Sequence, residues 1–330
     1  MKIDIHTHYI PRDCFDIIKR DGLVLGPTIG KSSTGEEVLV VNGKAFGATV
    51  AQLCDPERRL RDMDEMGIDM QVLSLVGHSF FYDIEPEIGL SVSRQHNDAI
   101  AEIVTAYPDR FVGMGTLPMQ DIGSTVQELE RVVRELKLRA VEIGSNICGK
   151  DLDDPRFWPL YEKVQELDIP IFVHPTSPPG GARLQKYFMS HIAAYPMETA
   201  LVIARVTFGG ILQKFPRLNF IFSHGGGGTV FIMGRWDHAH RYAEECQTIP
   251  LPPSDYVRQM YFDTIVHSTE ALEYLVKMVG DTHLLLGSDY PFSLMDVDPV
   301  NSVLSSGLPA ASKEAILEHN VAVLLKLDDI

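Results

Sequence analysis

Lys2-Ile3-Asp4-Ile5-His6-Thr7-His8 is the stretch on which the reading of this chain turns. It is a short β-branched run, read as a strand, and it ends in two histidines one residue apart. Residues two apart on a strand point to the same side. Both imidazoles can therefore face one way and reach a single ion, at about 2.0–2.1 Å if it is zinc. Taken alone a His-x-His pair is a weak signal, since paired histidines also occur in solvated loops. Its weight depends on what the rest of the chain brings to the same end.

Seven more short apolar runs follow: Gln71–Val76, Phe111–Leu117, Ala140–Gly144, Ile169–His174, Asn219–His224, Met260–Ile265 and His283–Ser288. Runs such as Ile169-Pro170-Ile171-Phe172-Val173 are apolar throughout, which suits parallel strands buried on both faces. Helical patterns separate them. Asp55-Pro56-Glu57 reads as an N-cap, a first-turn proline and an acid at the positive helix end, opening a helix that stops near Gly67. Val126, Leu129, Val132, Val133 and Leu136 form a stripe at spacings of three and four. Further helices are expected at Pro155–Leu167, Pro196–Lys214, Thr229–Ala243, Ser268–Val279 and Lys313–Leu325. Strand and helix alternating eight times predict an α/β fold of the (β/α)8 TIM-barrel type rather than an open doubly wound sheet. At about 150 residues per domain the length would suggest two domains, but one barrel absorbs residues 1–330.

One segment interrupts the alternation. Tyr9–Leu53 separates the first strand from its helix and carries turn signals at Gly30, Ser32–Gly35 and Asn42-Gly43. Glu37–Val41 and Lys44–Phe46 around Asn42-Gly43 read as a hairpin. A long insertion after a barrel strand lies on the face that carries active sites, so residues 9–53 are expected to form a cap over the pocket.

Composition narrows the function classes. With 29 Lys+Arg against 45 Asp+Glu, the formal charge is −16, which argues against nucleic acid or an anionic membrane surface as partner. No apolar run approaches the ~18 residues needed to span a bilayer, and the polar start does not read as a signal peptide. Cys14, Cys54, Cys148 and Cys246 lack CxxC spacing, so neither a disulfide framework nor a zinc ribbon is indicated. A cytoplasmic protein with reduced thiols is the expectation.

The chemistry gathers at strand ends. His174 ends the fifth predicted strand, His224 the sixth, and Asp289 the eighth, in Gly287-Ser288-Asp289-Tyr290-Pro291. In a (β/α)8 barrel these ends converge on one mouth with His6 and His8. Histidines and an aspartate gathered at one mouth can hold a divalent ion with a position left open, the mark of a catalytic metal site. Such an ion can lower the pKa of a bound water towards roughly 7, and a histidine can carry the proton.

This constellation resembles the amidohydrolase superfamily. Asp55-Pro56-Glu57-Arg58-Arg59-Leu60-Arg61-Asp62-Met63-Asp64, Gly115-Thr116-Leu117-Pro118-Met119-Gln120, Phe172-Val173-His174-Pro175, His224-Gly225-Gly226-Gly227 and Gly287–Phe292 together resemble its 2-amino-3-carboxymuconate-6-semialdehyde decarboxylase group, over essentially the whole chain. The resemblance implies that His6, His8, His174 and Asp289 bind one divalent metal, with His224 off the metal as catalytic base. Zinc is the implied ion and manganese the alternative. Two-metal members often carry a carboxylated lysine on the fourth strand; Ala140-Val141-Glu142-Ile143-Gly144 has none, which favours one ion. Glu142 is a carboxylate that could bridge a second ion or orient a ligand histidine.

The resemblance also implies two arginines that hold substrate carboxylates. One matches Arg235, reaching across a homodimer. The other would fall at Gly47, and glycine has no guanidinium fork to bind a carboxylate bidentately. The group's Trp-Asp after His-Pro is replaced by Thr176-Ser177, and Arg183 is a candidate substitute for the missing cation. Phe80, Phe81, Tyr290 and Phe292 are candidates for an apolar wall around a planar substrate, and His267, at the seventh strand's end, for a polar contact. His78 and His191 read as loop or shell residues, and His96, His238, His240, His283 and His319 as helix or surface residues. Gly225–Gly228 lacks the P-loop lysine and reads as backbone passing close to the site. The expected function is metal-dependent, non-oxidative decarboxylation of a small unsaturated or aromatic carboxylic acid. The alternative is a hydrolase or hydratase using the same metal-activated water.

Overall fold

The computed structural model describes residues 1–15, 27–41 and 43–327. β1 (Ile3–His8) is buried along its whole length. An antiparallel sheet of β2 (Thr28–Lys31), β3 (Glu37–Val41) and β4 (Lys44–Thr49) follows in the inserted segment. Next come β5 (Met70–Ser74), β6 (Phe111–Thr116), β7 (Ala140–Gly144), the ribbon β8 (Asn146–Ile147) and β9 (Lys150–Asp151), then β10 (Ile171–His174), β11 (Phe220–Phe222), β12 (Tyr261–Asp263) and β13 (Leu284–Leu285). Eight parallel strands run in the order β1-β5-β6-β7-β10-β11-β12-β13. Ile5 N–H donates to Leu286 O and His8 N–H to Tyr290 O, each at 2.8 Å, bringing the first and last strands together in a nearly closed barrel. This is the expected (β/α)8 architecture. No helix among the described residues is long and apolar enough to cross a membrane.

Alternate strand residues divide between two apolar clusters, as a period of two requires. Met70, Val72, Val112, Met114, Phe172 and Ile221 join one, together with Val321 and Leu324 of the last helix. Leu73, Phe111, Ile171, Phe220 and Phe222 join the other, with Leu129, Val132, Leu160 and Ile203 of the surrounding helices. The expected helix after Asp55 runs Pro56–Met66, with the Asp55 carboxylate accepting from Glu57 N and Gly67 closing it at φ 69°.

Several boundaries differ from expectation for identifiable reasons. The helix expected over Pro196–Lys214 is Tyr195–Phe208 followed by Ile211–Lys214, divided at Gly209-Gly210. Pro86–Ala106, the longest helix described, has no counterpart in the sequence reading. Its inward stripe is interrupted by the buried polar residues Ser93, His96 and Asn97, which hides the apolar period. β11, β12 and β13 are shorter than expected because the chain leaves the ladder just past them to turn His224, His267 and Asp289 into left-handed backbone, at φ 55°, 54° and 63°. Such conformations are sparse for non-glycine residues and gather at functional sites.

The expected hairpin is present as β3 and β4, with Val41 opposite Lys44. Its turn residue Asn42, and residues 16–26 of the insertion, lie outside the described residues. Leu39, Val41 and Ala48 of this sheet pack with Ile10, Leu53, Val76, Phe81 and Val92. Beneath it, Arg59 is fully buried. Its guanidinium donates to His8 O and, at 3.0 Å, to Gln71 Oε1, and it lies 4.7 Å over the Tyr290 ring. It ties the end of β1 to the chain following β13, and so positions both His8 and Asp289.

Candidate active site

Three of the five predicted strand-end residues are imidazoles whose outer nitrogen is held by an acceptor. His6 Nδ1 meets Asp263 Oδ2 at 2.7 Å, His8 Nδ1 meets the Leu75 carbonyl at 2.9 Å, and His174 Nδ1 meets the Pro175 carbonyl at 3.1 Å. A carbonyl only accepts, so Nδ1 of His8 and of His174 carries the proton. Asp263 also takes backbone N–H groups, so it too is the acceptor. In the neutral form of each ring Nε2 is then a bare lone pair, and burial holds His6 and His174 below the usual imidazole range.

These lone pairs converge. His6 Nε2 and His8 Nε2 lie 3.1 Å apart, and Asp289 Oδ1 lies 3.1 Å from His8 Nε2 and 3.6 Å from His6 Nε2. Nitrogen lone pairs facing each other and a carboxylate repel unless a cation stands among them. One ligand atom each from His6, His174, His224 and Asp289 all fall within 4.8 Å of one another. Imidazoles gathered with one carboxylate, three of them (His6, His8 and His174) fixed by a second partner, are the donor set of a divalent metal. The structure therefore carries a divalent metal site.

His224 stands apart chemically. Its Nδ1 is buried with no hydrogen-bond partner among the described residues, and its Nε2 lies 3.7 Å from Asp289 Oδ2. Burial alone would lower its pKa, but the neighbouring Asp289 carboxylate and the charge of Asp263 outweigh it and raise it. No acceptor among the described residues locks its tautomer, whereas Nδ1 of His6, of His8 and of His174 is each tied to an acceptor.

Asp263 is the functional residue the sequence analysis missed. It ends β12 with no exposure, and its two oxygens accept from His6 Nδ1, His224 N, Gly225 N and Ile265 N at 2.7, 2.8, 2.8 and 3.1 Å. One carboxylate thus orients an imidazole and shapes the turn that carries His224. The available signal was an acid inside a predicted apolar strand flanked by two strands that end in site residues.

The site opens into a cavity of about 520 Å3 lined by His174, His224, Asp289, Phe292 and His267, with Phe46 from β4 of the insertion. A second cavity of about 540 Å3 shares Gly77, His78, His174 and Tyr195 with the first, and is lined by Phe80, Phe81, Thr176 and Ser177. Phe292 and Phe80 thus face cavity space, though different lobes. Tyr290 does not: its ring packs on Arg59 and its hydroxyl donates to Asp62 at 2.7 Å. Arg183 is exposed on the turn Gly181–Leu184 and lines neither lobe. Arg235 lies exposed on helix Thr229–Tyr242 and lines neither lobe of its own chain. His78 and His191, read as loop or shell residues, are cavity walls.

Two glycines explain themselves sterically. Gly47 adopts φ 80°, and a Cβ there would stand 2.8 Å from Ser293 Cβ, so the backbone has no room for the arginine of the resembling group. A Cβ on Gly227 would stand 1.9 Å from the Pro196 carbonyl oxygen, which accounts for the glycine run as close backbone approach.

Glu142 on β7 is fully buried, and neither carboxyl oxygen has a hydrogen-bond partner among the described residues. The nearby Ser74 hydroxyl donates instead to Thr7 O at 3.0 Å. Burial holds this carboxyl well above the ordinary range. It is neutral in the fold at a pH where the unfolded chain, titrating near about 4.3, has released its proton. A raised folded pKa contributes stability at low pH that is lost as pH rises from there through the folded value. Glu142→Gln is therefore expected to flatten the fall in melting temperature between pH 5 and 8 in chelator-treated protein. Parallel melting curves for the two proteins would contradict this.

Comparison with known proteins agrees with the geometry. A family model described as amidohydrolase matches residues 3–327, and the chain belongs to that family. Within it the chain is an enzyme of the metal-dependent decarboxylase kind. A 2-amino-3-carboxymuconate-6-semialdehyde decarboxylase from Dictyostelium discoideum is 34% identical, over 99% of this chain and 92% of the relative. The crystal structure of 5-carboxyvanillate decarboxylase from Sphingomonas paucimobilis superposes with a TM-score of 0.85 at 27% identity, covering 98% of both chains. A dihydroxybenzoic acid decarboxylase from Polaromonas, with bound manganese and the inhibitor 2-nitroresorcinol, gives 0.82 at 26% identity, covering 99% of this chain and 97% of that one.

Proposed function

We propose that this chain catalyses non-oxidative decarboxylation of a small unsaturated or aromatic carboxylic acid. His6, His8, His174 and Asp289 would hold one divalent ion, which when bound supplies Lewis-acid charge for the substrate carboxylate and lowers the pKa of a coordinated water. Zinc suits the imidazoles, and manganese occupies a similar structure, so both fit the donor set. The carbon–carboxylate bond breaks as CO2 departs, and the electron pair left on carbon takes a proton from His224. Solvent then returns that proton, and Asp289 beside His224 favours the protonated ring at the start of the cycle. The carrying observation is the contrast between three imidazoles fixed at Nδ1 and His224, which is not.

Phe292 and Phe80 supply apolar walls, His267 a polar contact at the rim, and the described part of the 9–53 insertion acts as a cap that contributes Phe46. Arg235 serves substrate from a partner subunit in a homodimer. It shares a helix face with Phe231, 67% exposed, beside Ile232, 41% exposed, apolar surface suited to a second copy. Sedimentation of the active enzyme is expected to give a dimer; an active monomer would remove the cross-subunit role. The reaction itself is tested by offering metal-loaded enzyme a panel of hydroxybenzoic and muconic acids. CO2 release from at least one supports the reading. Oxygen-18 entering the organic product without CO2 identifies a hydrolase or hydratase instead.

A further inference from the structure

The cavity beside the metal residues has an uncommon wall for a site that handles anions. No lysine or arginine lines either lobe among the described residues; the basic groups beyond the metal cluster are His78, His191 and His267. His78 and Tyr195 stand at the waist shared by the two lobes, with His78 Nε2 3.4 Å from the Tyr195 hydroxyl. His191 meets the Tyr195 ring edge-on at 5.1 Å and stacks flat on Phe188 at 3.9 Å. Phe46, from β4, braces both imidazoles, 4.7 Å from His78 and 5.2 Å from His191. These aromatic contacts fix the three polar groups in place.

Their hydrogen-bonding capacity is largely unspent. Both ring nitrogens of His191 are buried and have no partner among the described residues. Among the described residues the Tyr195 hydroxyl has only the long contact to His78. A neutral imidazole offers one donor and one acceptor, and a phenol offers both from one oxygen. Buried polar groups left unpaired cost free energy, so a ligand that pairs them is favoured over one that cannot.

Given the decarboxylase reading above, we propose that His78, His191 and Tyr195 form a neutral recognition wall. It binds an uncharged hydrogen-bonding substituent, a hydroxyl or carbonyl, on a planar monocarboxylic acid and refuses a second carboxylate there. Burial supports the neutrality, pushing His78 down to about 4, lowering His191 and keeping the Tyr195 phenol protonated. A carboxylate against this wall would lose its hydration without gaining a cation. Gly47 closes one of the two positions where the resembling group would place an arginine, since its backbone leaves no space for a side chain, and the other, Arg235, lines neither lobe of its own chain.

Calorimetric binding to metal-loaded enzyme tests this without turnover, using benzoate, the three hydroxybenzoates and the three benzenedicarboxylates. At least one hydroxybenzoate is expected to bind about tenfold or more tighter than benzoate, and every dicarboxylate no tighter than benzoate. Tyr195→Phe and His191→Phe are each expected to erase most of the hydroxyl advantage while leaving benzoate affinity within about twofold. His191→Arg is expected to shift preference towards a dicarboxylate. A dicarboxylate preferred by the unaltered enzyme, or variants that weaken benzoate and hydroxybenzoate equally, would overturn the proposal. A hydroxyl advantage that persists while no acid on the panel releases CO2 would leave the wall standing and overturn the decarboxylase reading.

Discussion

His224→Asn is expected to cut turnover by about a thousandfold, within the range of ~10²–10⁴ ascribed to a positioned general acid or base, while the enzyme keeps one equivalent of metal. Asparagine is chosen because residue 224 sits at φ 55°, a conformation asparagine tolerates better than alanine. The turn that carries it is held by backbone bonds from residues 224 and 225 to Asp263, which the substitution leaves in place. On the proposed ligand set of His6, His8, His174 and Asp289 the substitution removes no ligand, so metal content measured by emission spectroscopy should not fall. His6→Ala makes the contrast, because it removes a nitrogen that faces His8 at 3.1 Å and should empty the site. If His224→Asn lost its metal as readily as His6→Ala, His224 would be a ligand and the assignment of the proton to it would fail.

Asp263→Asn is expected to weaken metal binding about 10- to 100-fold, the usual effect of removing a partner that orients a ligand. It should also cost about 3 kcal/mol of stability, the scale of breaking a buried, hydrogen-bonded charge. The reason lies in donors and acceptors. Oδ2 receives His6 Nδ1 and His224 N, and Oδ1 receives Gly225 N and Ile265 N. An amide must turn its NH2 towards one pair. Facing Oδ2's partners, it opposes the His224 N–H and drives the His6 proton from Nδ1 to Nε2, removing the lone pair the metal needs. Facing the other pair, it opposes two backbone N–H groups that have no other acceptor among the described residues. Metal titration and chemical denaturation read the two effects separately. Unchanged metal affinity would show that Asp263 does not set the His6 tautomer.

Legibility in the sequence followed what each residue owes to local pattern. His6 and His8 could be placed because strand geometry alone puts residues two apart on one side, and His174, His224 and Asp289 because each follows an apolar run. The barrel followed from eight such runs, so its order was readable although strand ends were not. Those ends depend on the left-handed turns at residues 224, 267 and 289, which are stabilised by distant partners such as Asp263 rather than by neighbours in sequence. His78 and His191 were invisible as wall residues for the same reason. One lies on the short turn Gly77–Ser79 and the other before helix Tyr195–Phe208, and only the fold brings both against Phe46 and Tyr195. Pro86–Ala106 escaped because buried Ser93, His96 and Asn97 replace the apolar residues by which an inward helix face is recognised.

The central claim, proton delivery to carbon as CO2 leaves, is tested most directly by the mass of the organic product formed in deuterium oxide enriched in oxygen-18. The expected result is one CO2 per acid consumed, one deuterium on the carbon that bore the carboxylate, and no oxygen-18 in the organic product. Oxygen-18 in that product with the carboxylate retained would contradict it.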